Sequence, residues 1–388
     1  MTVGLYLAVV QFLFALCWTV YVAFLPTLAA QVGIPKSAVI WILMLDQLIF
    51  VLSDYAFGVA SDRAAKVVGR LGRLVVAVTL LSCAAFLALP LVAPSGSAPL
   101  FLLLVVLWSI TSSALRAPPL TLVGRHAAKP QIPWLVALSV LGLGVANAIA
   151  PYLTLVLRDV DPRWPFLLSS VALGLVTWGI VAAEKRLVRN GGTRPQALAP
   201  APGSQPLVAG FLAAAVLAAL AFQVHNFLNS APLYLSFAPA DRLPWLTPVF
   251  WIGFNLALLP AAALAKRLGG WRVMGTGALL AGAATWGAQK APTLATLIGA
   301  QATAGAAWGL VLMSAFSTAL ALGHVGREGR WGGALSSVLA LAALSRMGFI
   351  AAEWHNTTDF KPILAWTPAL GWLAAAAVLW WATQRRRA

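Results

Sequence analysis

Apolar runs of about 20 residues recur along almost the whole chain, separated by short connections. A helix needs about 20 mostly apolar residues to cross the roughly 30 Å hydrocarbon core of a bilayer. Twelve such runs can be marked, at 4–27, 38–60, 71–93, 99–122, 132–157, 164–183, 207–231, 244–265, 271–289, 292–322, 330–353 and 363–383. The runs are continuous rather than alternating, which favours helices over a β-barrel. The sequence therefore predicts an all-α integral membrane protein with 12 transmembrane helices.

The composition agrees with this prediction. Hydrophobic residues make up 61% of the 388 residues and charged residues only 9%, whereas about a quarter of a soluble domain is charged. Most of the surface must therefore face the lipid bilayer. The net charge of +16 lies in short clusters between the apolar runs, so no nucleic-acid partner is expected. Cys17 and Cys83 lie inside apolar runs and are interpreted as small core residues.

Basic residues predict the orientation. Of the 26 Lys and Arg residues, 18 lie in the even-numbered connections and after the last run, and 6 lie in the odd-numbered connections. The positive-inside rule then places the N- and C-termini in the cytoplasm. The N-terminal run lacks a basic leader and a cleavage site, so it is interpreted as a retained first span. We expect a multi-pass protein of the bacterial inner membrane.

The longest polar stretch, 184–206, divides the runs into six and six. Its Pro, Gly, Ser and Arg content predicts a flexible cytoplasmic linker. The predicted organisation is an N-terminal six-helix bundle at 1–183, the linker, and a C-terminal six-helix bundle at 207–388. Such a layout implies an internal repeat. The segment "GVASDR" after the second run and "AALAKR" after the eighth occupy equivalent places, and each continues into a short basic hairpin.

At these segments the chain resembles the major facilitator superfamily, whose loop between spans two and three carries G-x-x-x-D-R-x-G-R-[RK]. Gly58, Asp62 and Arg63 match the start of the motif, although the following Gly-Arg comes later than in the family pattern. The second copy has Lys266 where the acid belongs. The resemblance implies two pseudo-symmetric six-helix bundles (the MFS fold), and a latch at this loop that closes the cytoplasmic side when the protein faces outward.

The motif residues also have a physical interpretation. The small Gly58 allows a neighbouring helix to approach closely. Asp62 is placed to pair with basic groups or with a helix N-terminus across the interface between the halves. The alternative is that the basic loop, including Arg63, only fixes the topology.

Ionisable side chains inside a membrane span are costly, so each is a candidate functional residue. They are Asp46, Asp54, Arg116 and Arg346, with Glu353 at the outer end of its run. The helical rise places Asp54 level with Arg116, and Asp46 level with Arg346. In the family that this chain resembles, spans two and eleven meet between the halves, so the resemblance implies that the second pair would close the outer side and break when the protein opens outward. The alternatives are that Arg346 extends to the outer surface and that Asp46 hydrogen-bonds within its own half.

These carboxylates are also candidates for ion coupling. We expect a proton on Asp46 or Asp54, with Glu353 as a third candidate. A structural salt bridge without titration, and coupling to sodium, remain open alternatives.

In the family that this chain resembles, spans one, four, seven and ten line the central cavity. The resemblance therefore implies a set of polar and aromatic binding residues: Gln11, Trp18, Tyr21, Trp108, Arg116, His225, Asn226, Asn229, Gln301 and Trp308. Aromatic faces with a few amides suit a small amphipathic organic solute. Arg116 would contact an anionic group unless Asp54 neutralises it. Each residue is equally compatible with packing between helices.

Motifs for other functions are absent from the sequence. There is no nucleotide-binding G-x-x-x-x-G-K-[ST], and no hydrolase or metal-ligand motif. We therefore expect no enzyme activity, no metal and no cofactor. The sequence favours a proton-coupled secondary transporter of a small organic solute, working as a monomer by alternating access. The alternatives are a lipid, lysolipid or drug-efflux translocator, and a transport-inactive relative that acts as a sensor.

Overall fold

The computed structural model describes residues 2–190, 204–323 and 326–385, and the regular elements in these ranges are all helices. The first half contains α1 (Thr2–Gln31), α2 (Val39–Ala64), α3 (Arg70–Val92), α4 (Ala98–Ser112), α5 (Pro118–His126), α6 (Ile132–Val156), α7 (Arg163–Thr177) and α8 (Gly179–Asn190). The second half contains α9 (Ser204–Val224), α10 (Ser230–Leu235), α11 (Leu243–Leu246), α12 (Pro248–Leu268), α13 (Gly270–Gln289), α14 (Leu294–Gly323), α15 (Glu328–Ala351) and α16 (Phe360–Arg385).

These helices account for all twelve predicted spans. The fourth span is α4 with α5, the sixth is α7 with α8, the seventh is α9 with α10, and the eighth is α11 with α12. Among the described residues, eleven spans are long and apolar enough to cross a membrane. The ninth span is α13, a 20-residue helix with many Gly and Ala residues that packs against α14 and α16.

The two halves repeat the same packing. Helix α1 packs on α6 and α7, and α9 packs on the equivalent α15 and α16. Between the halves, α2 packs against α15 and α12 packs against α6. In both cases the second span of one half meets the fifth span of the other, so a single pseudo-twofold axis relates the two contacts. The chain is therefore built from two related six-helix bundles.

The fourth span is broken near its middle. Helix α4 ends at Ser112, a short 3-10 turn follows, and α5 begins at Pro118. Two consecutive prolines supply no backbone N–H for a continuous helix. Arg116 at the break still lies ten residues before the end of α5, or about 15 Å by helical rise. The break therefore leaves Arg116 inside the span.

The predicted linker begins too early. Helix α8 continues to Asn190, so residues 184–190 are helical. Glu184 is fully buried and its Oε2 accepts the N–H of Gly72 at 2.9 Å. Gly72 lies in the first turn of α3, where backbone N–H groups lack helical partners and a carboxylate is favourable. Of the rest of the predicted linker, 191–203 lie outside the described residues, and 204–206 already belong to α9, so the predicted linker also ends too late.

Candidate functional site

Asp62 joins the two halves at one face of the molecule. We call this the latch face; it carries the connections from α2 to α3, from α5 to α6 and from α14 to α15. Asp62 Oδ1 accepts the N–H of Gly329 at 2.7 Å, and Oδ2 accepts the N–H of Arg330 at 2.8 Å. Both donors lie in the first turn of α15, where they have no partner within the helix. An acid of the first half thus caps a helix of the second half, as the sequence predicts for Asp62.

Three glycines bring the two backbones into contact beside Asp62. A Cβ atom added to Gly58 would meet the carbonyl oxygen of Gly329. A Cβ atom added to Gly333 would lie 3.2 Å from the Cα atom of Gly58 and 2.5 Å from the carbonyl oxygen of Asp54. These positions leave no room for a side chain. The predicted close approach at Gly58 is therefore present.

A second polar contact crosses the latch face. Arg125 Nη1 on α5 lies 3.8 Å from Glu328 Oε2 on α15, and the same oxygen accepts the N–H of Gly326 at 2.8 Å. Neither residue is predicted as a site residue from the sequence: Arg125 contributes there only to the count of basic residues, and Glu328 does not stand out. The sequence does contain a signal for Glu328, because it is an acid at the start of a span within an otherwise basic connection. Arg63 and Lys266, the counterpart of Asp62, are both exposed.

Asp46 lies in the interior of the first half. It is fully buried, its Oδ2 accepts the Tyr21 hydroxyl at 2.8 Å, and its Oδ1 accepts the Ser109 hydroxyl at 2.6 Å. The rings of Tyr21 and Trp108 lie 4.4 Å apart beside it, and Trp18 stacks on Trp108. Asp46 thus hydrogen-bonds within its own half, which is one of the alternatives that the sequence left open.

Asp54 and Arg116 form the ion pair that the helical rise predicts. Arg116 Nε lies 3.0 Å from Asp54 Oδ2, and its guanidinium lies 4.4 Å from the centre of the Phe50 ring. Gln11 donates to the carbonyl of Leu115 at 2.6 Å, where the fourth span is broken. The sequence predicts that Arg116 contacts an anionic group only if Asp54 does not neutralise it. Asp54 does compensate the charge of Arg116, so this contact is not expected in this structure.

Arg346 takes partners in the second half rather than Asp46. Its Nε donates to Gln223 Oε1 at 2.8 Å, and its guanidinium lies 4.6 Å from the centre of the Phe227 ring. The predicted pair with Asp46 is not made in this structure. Gln223 lies in the middle third of the span 207–235, so Arg346 points towards the membrane centre. The alternative that it extends to the outer surface is therefore wrong.

Glu353 is exposed beyond the end of α15, with a backbone φ of 58°. A left-handed conformation is common where a helix ends. The structure thus gives Glu353 a local role in ending α15, and it lies apart from the buried acids of α2.

His225 and Gln301 form a buried polar contact in the second half. His225 Nε2 and Gln301 Oε1 are 2.9 Å apart, and Gln301 Nε2 lies 3.3 Å from Ser230 Oγ. His225 begins a π-helical segment, His225–Asn229, that joins α9 to α10. Asn229 donates to the carbonyl of Leu364 on α16 at 2.8 Å. These contacts hold helices of one half together.

Burial divides the predicted binding residues into two groups. Six are buried in contacts between helices, which agrees with the alternative that they pack helices together and do not bind solute: Tyr21, Trp108, His225, Asn229, Gln301 and Trp308. Four are half-buried: Gln11, Trp18, Arg116 and Asn226. Ser109, Gln223 and Phe227 are not predicted from the sequence, because single Ser, Gln and Phe residues in apolar runs carry no distinguishing pattern.

Two related six-helix bundles, with charged side chains at and beside their interface, are the architecture of a membrane transporter. The sequence profile of the Major Facilitator Superfamily matches residues 7–239. The chain belongs to this family, whose members are transporters rather than enzymes. The predicted fold class, two pseudo-symmetric bundles in a multi-pass membrane protein, is confirmed.

Solved structures share the fold across the whole chain. A bacterial homologue of the iron transporter ferroportin, crystallised in an outward-facing state, has a TM-score of 0.77 at 13% identity, covering 99% of this chain and 100% of that one. The human organic anion transporter MFSD10 (TETRAN) has a TM-score of 0.69 at 14% identity, covering 99% and 98%. The proton:xylose symporter XylE has a TM-score of 0.68 at 12% identity, covering 97% and 94%. No curated protein has a significantly similar sequence. At sequence identities this low, the similarity to these solved structures shows a shared fold and nothing more.

Proposed function

We propose that the chain is a secondary active transporter that moves a small organic solute by alternating access, with the proton as the coupling ion. The observation that carries the proposal is the pair of differently placed acids on α2. Asp62 holds a helix of the other half, whereas Asp46 is enclosed by neutral donors inside its own half. One acid thus belongs to the contact between the halves and the other to a site that can take up a proton.

The charge distribution supports an orientation for this transporter. The three connections of the latch face hold eight Lys and Arg residues, and the other even-numbered connections and the C-terminal end, on the same side, hold ten more of the 26. The positive-inside rule therefore assigns the latch face to the cytoplasm together with both termini. At the opposite face, Pro26, Thr27, Ala30, Gln31 and Lys36 line an open surface depression at the end of α1. A closed cytoplasmic face is compatible with an outward-facing state in the cell membrane.

The surroundings of Asp46 favour a proton as its ligand. An ionised carboxylate in a buried site without a cation is costly, and hydroxyl donors from Tyr21 and Ser109 offset only part of that cost. Binding a proton removes the charge without requiring a new protein partner. A shift of α1 or α4 relative to α2 would change the number of donors and hence the affinity for the proton. Such a rearrangement within the first half would link protonation to the movement of the halves.

The experiment compares Asp46→Asn with the wild type in proteoliposomes that contain a pH-sensitive dye. A panel of carboxylates, sugars and amines is added outside, and both proton entry and solute entry are followed. For a transported solute we expect the wild type to move protons with it. Asp46→Asn is expected to lose the proton movement and gradient-driven accumulation but to keep solute exchange. Asp359→Asn, which changes an exposed acid, is the matched control.

Several outcomes would contradict the proposal. Unchanged proton movement in Asp46→Asn would exclude this residue as the coupling site. Solute entry driven by a sodium gradient in the absence of a pH gradient would identify sodium, and not the proton, as the coupling ion. Movement of fluorescent phospholipid without movement of any soluble solute would favour the lipid translocator instead.

A further inference from the structure

Arg346 is a cation inside a membrane span, and no acid among the described residues forms an ion pair with it. Five of the ten acids are buried with other partners: Asp46, Asp54, Asp62, Glu184 and Glu328. The other five are exposed: Asp159, Asp161, Asp241, Glu353 and Asp359. In the described part of the chain, none of the ten forms an ion pair with Arg346. Its charge therefore needs compensation from outside the protein.

The position of Arg346 excludes contact with lipid as that compensation. An arginine near a helix end that faces lipid turns its charged group towards the surface. Arg346 instead points to Gln223 in the middle of the seventh span. The ring of Phe227 beneath the guanidinium is 47% exposed. Because a charged group inside a span almost always faces the bundle interior or a water-filled space, we infer that water and solute reach the guanidinium beside this ring.

The guanidinium is oriented to receive a second partner. Its Nε is fixed by Gln223, and among the described residues its two Nη nitrogens have no hydrogen-bond acceptor. Two Nη donors in one plane match the two oxygens of a carboxylate. Phe227 lies in the π-helical segment His225–Asn229, and such segments frequently occur at functional sites.

A comparison with Arg116, the other arginine inside a span, identifies the acidic partner that Arg346 lacks. Arg116 also lies over a phenylalanine ring, that of Phe50 at 4.4 Å, but Asp54 lies 3.0 Å from its Nε. The two sites therefore share the stacked guanidinium and differ in the acid. At Arg346 the neutral Gln223 takes the place of the acid at Nε, so the charge of the guanidinium is not compensated there.

We propose that Arg346, Gln223 and Phe227 bind the carboxylate group of the transported solute, which is then an organic monoanion with an apolar part. The carboxylate pairs with the Nη nitrogens and the apolar part lies on the open face of the Phe227 ring. This inference rests on the proposed transport function and specifies its substrate class. It assigns Arg346 to solute binding, in addition to any role at the outer gate.

The test measures binding to purified protein, so it does not require transport. Benzoate, phenylacetate and octanoate are titrated against thermal unfolding of the wild type, each beside its neutral amide. We expect at least one carboxylate to raise the unfolding midpoint and its amide to leave it unchanged. Arg346→Gln is expected to weaken binding of that carboxylate roughly 10- to 100-fold, because hydrogen bonds to a charged group are lost.

Further variants separate binding from folding. Arg346→Lys keeps the charge but loses the planar fork, so we expect about tenfold weaker binding. Phe227→Leu keeps the arginine and removes the ring, and we expect a severalfold loss. Arg242→Gln removes an exposed positive charge and should bind the carboxylate as the wild type does. If Arg346→Gln does not fold, the lysine and leucine variants decide the result.

Three results would overturn the inference: no shift with any of the carboxylates, equal shifts with acids and amides, or unchanged binding in the Arg346 and Phe227 variants. Transport of a neutral or cationic solute that Arg346→Gln leaves unaffected would reject the carboxylate site and preserve the transport proposal. Carboxylate binding at Arg346 with no transport of any solute would reject the transport proposal and preserve the carboxylate site.

Discussion

Removing the charge of Asp62 should open the latch face. Asp62→Asn keeps one oxygen acceptor but turns an NH2 group towards one of the two backbone N–H groups of α15 that Asp62 now binds. Losing one charge-assisted hydrogen bond costs about 1.5 to 3 kcal/mol, and losing the negative charge at a helix N-terminus costs about 0.3 to 1 kcal/mol. The sum is about 3 kcal/mol. Such a change shifts the equilibrium between closed and open forms roughly 100-fold.

Distance measurements between spin labels on the two halves would detect this shift. Arg73→Cys and Arg272→Cys place labels on exposed positions at the start of α3 and of α13, after Cys17 and Cys83 have been replaced by alanine. We expect a single distance population in the parent chain and a second, longer population in Asp62→Asn. The exposed variant Asp359→Asn should match the parent.

Two results would refute this reasoning. An unchanged distance distribution in Asp62→Asn would mean that the two hydrogen bonds do not determine the state of the latch face. A lower unfolding midpoint without a longer population would show that Asp62 stabilises the fold in general.

Three other changes test separate contacts. Gly58→Leu places a side chain against the carbonyl oxygen of Gly329, so the same label pair should report a longer distance even with Asp62 intact. Arg116→Gln leaves Asp54 buried without its partner and should lower stability by about 3 to 5 kcal/mol; adding Asp54→Asn should restore much of the thermal unfolding midpoint, and no recovery would exclude the ion pair as the cause. Glu353→Gly removes the strain of a left-handed backbone at a non-glycine residue and should stabilise the protein by about 1 kcal/mol, an increase that a thermal unfolding scan would detect.

The fold was predictable because a bilayer imposes a fixed span length on every helix. Continuous apolar runs, the basic connections and the repeat at "GVASDR" and "AALAKR" are enough to predict two six-helix bundles. The boundary error at 184–190 has a physical cause: Glu184 is polar in the sequence, but its carboxylate is buried because it caps α3. Polarity alone does not distinguish a linker from a charged helix end with a partner.

The site was predictable where a contact depends on depth, and less so where it depends on the helical face. The rise per residue placed Asp54 beside Arg116, and that pair is present. The same reasoning placed Asp46 level with Arg346, but each residue has another partner within its own half. Helix rotation decides between these outcomes, and almost uniformly apolar spans have no polar stripe from which to infer rotation.

The glycine contact between α2 and α15 has a consequence for how the halves separate. Gly58, Gly329 and Gly333 place main chain against main chain, so no flexible side chains are available to follow a gradual displacement. A small separation loses the close contact and the carboxylate hydrogen bonds together. Such an interface behaves as an all-or-none switch, because rigid packed surfaces have discrete arrangements rather than a continuum. States in which the contact between α2 and α15 is only partly open should be scarcely populated.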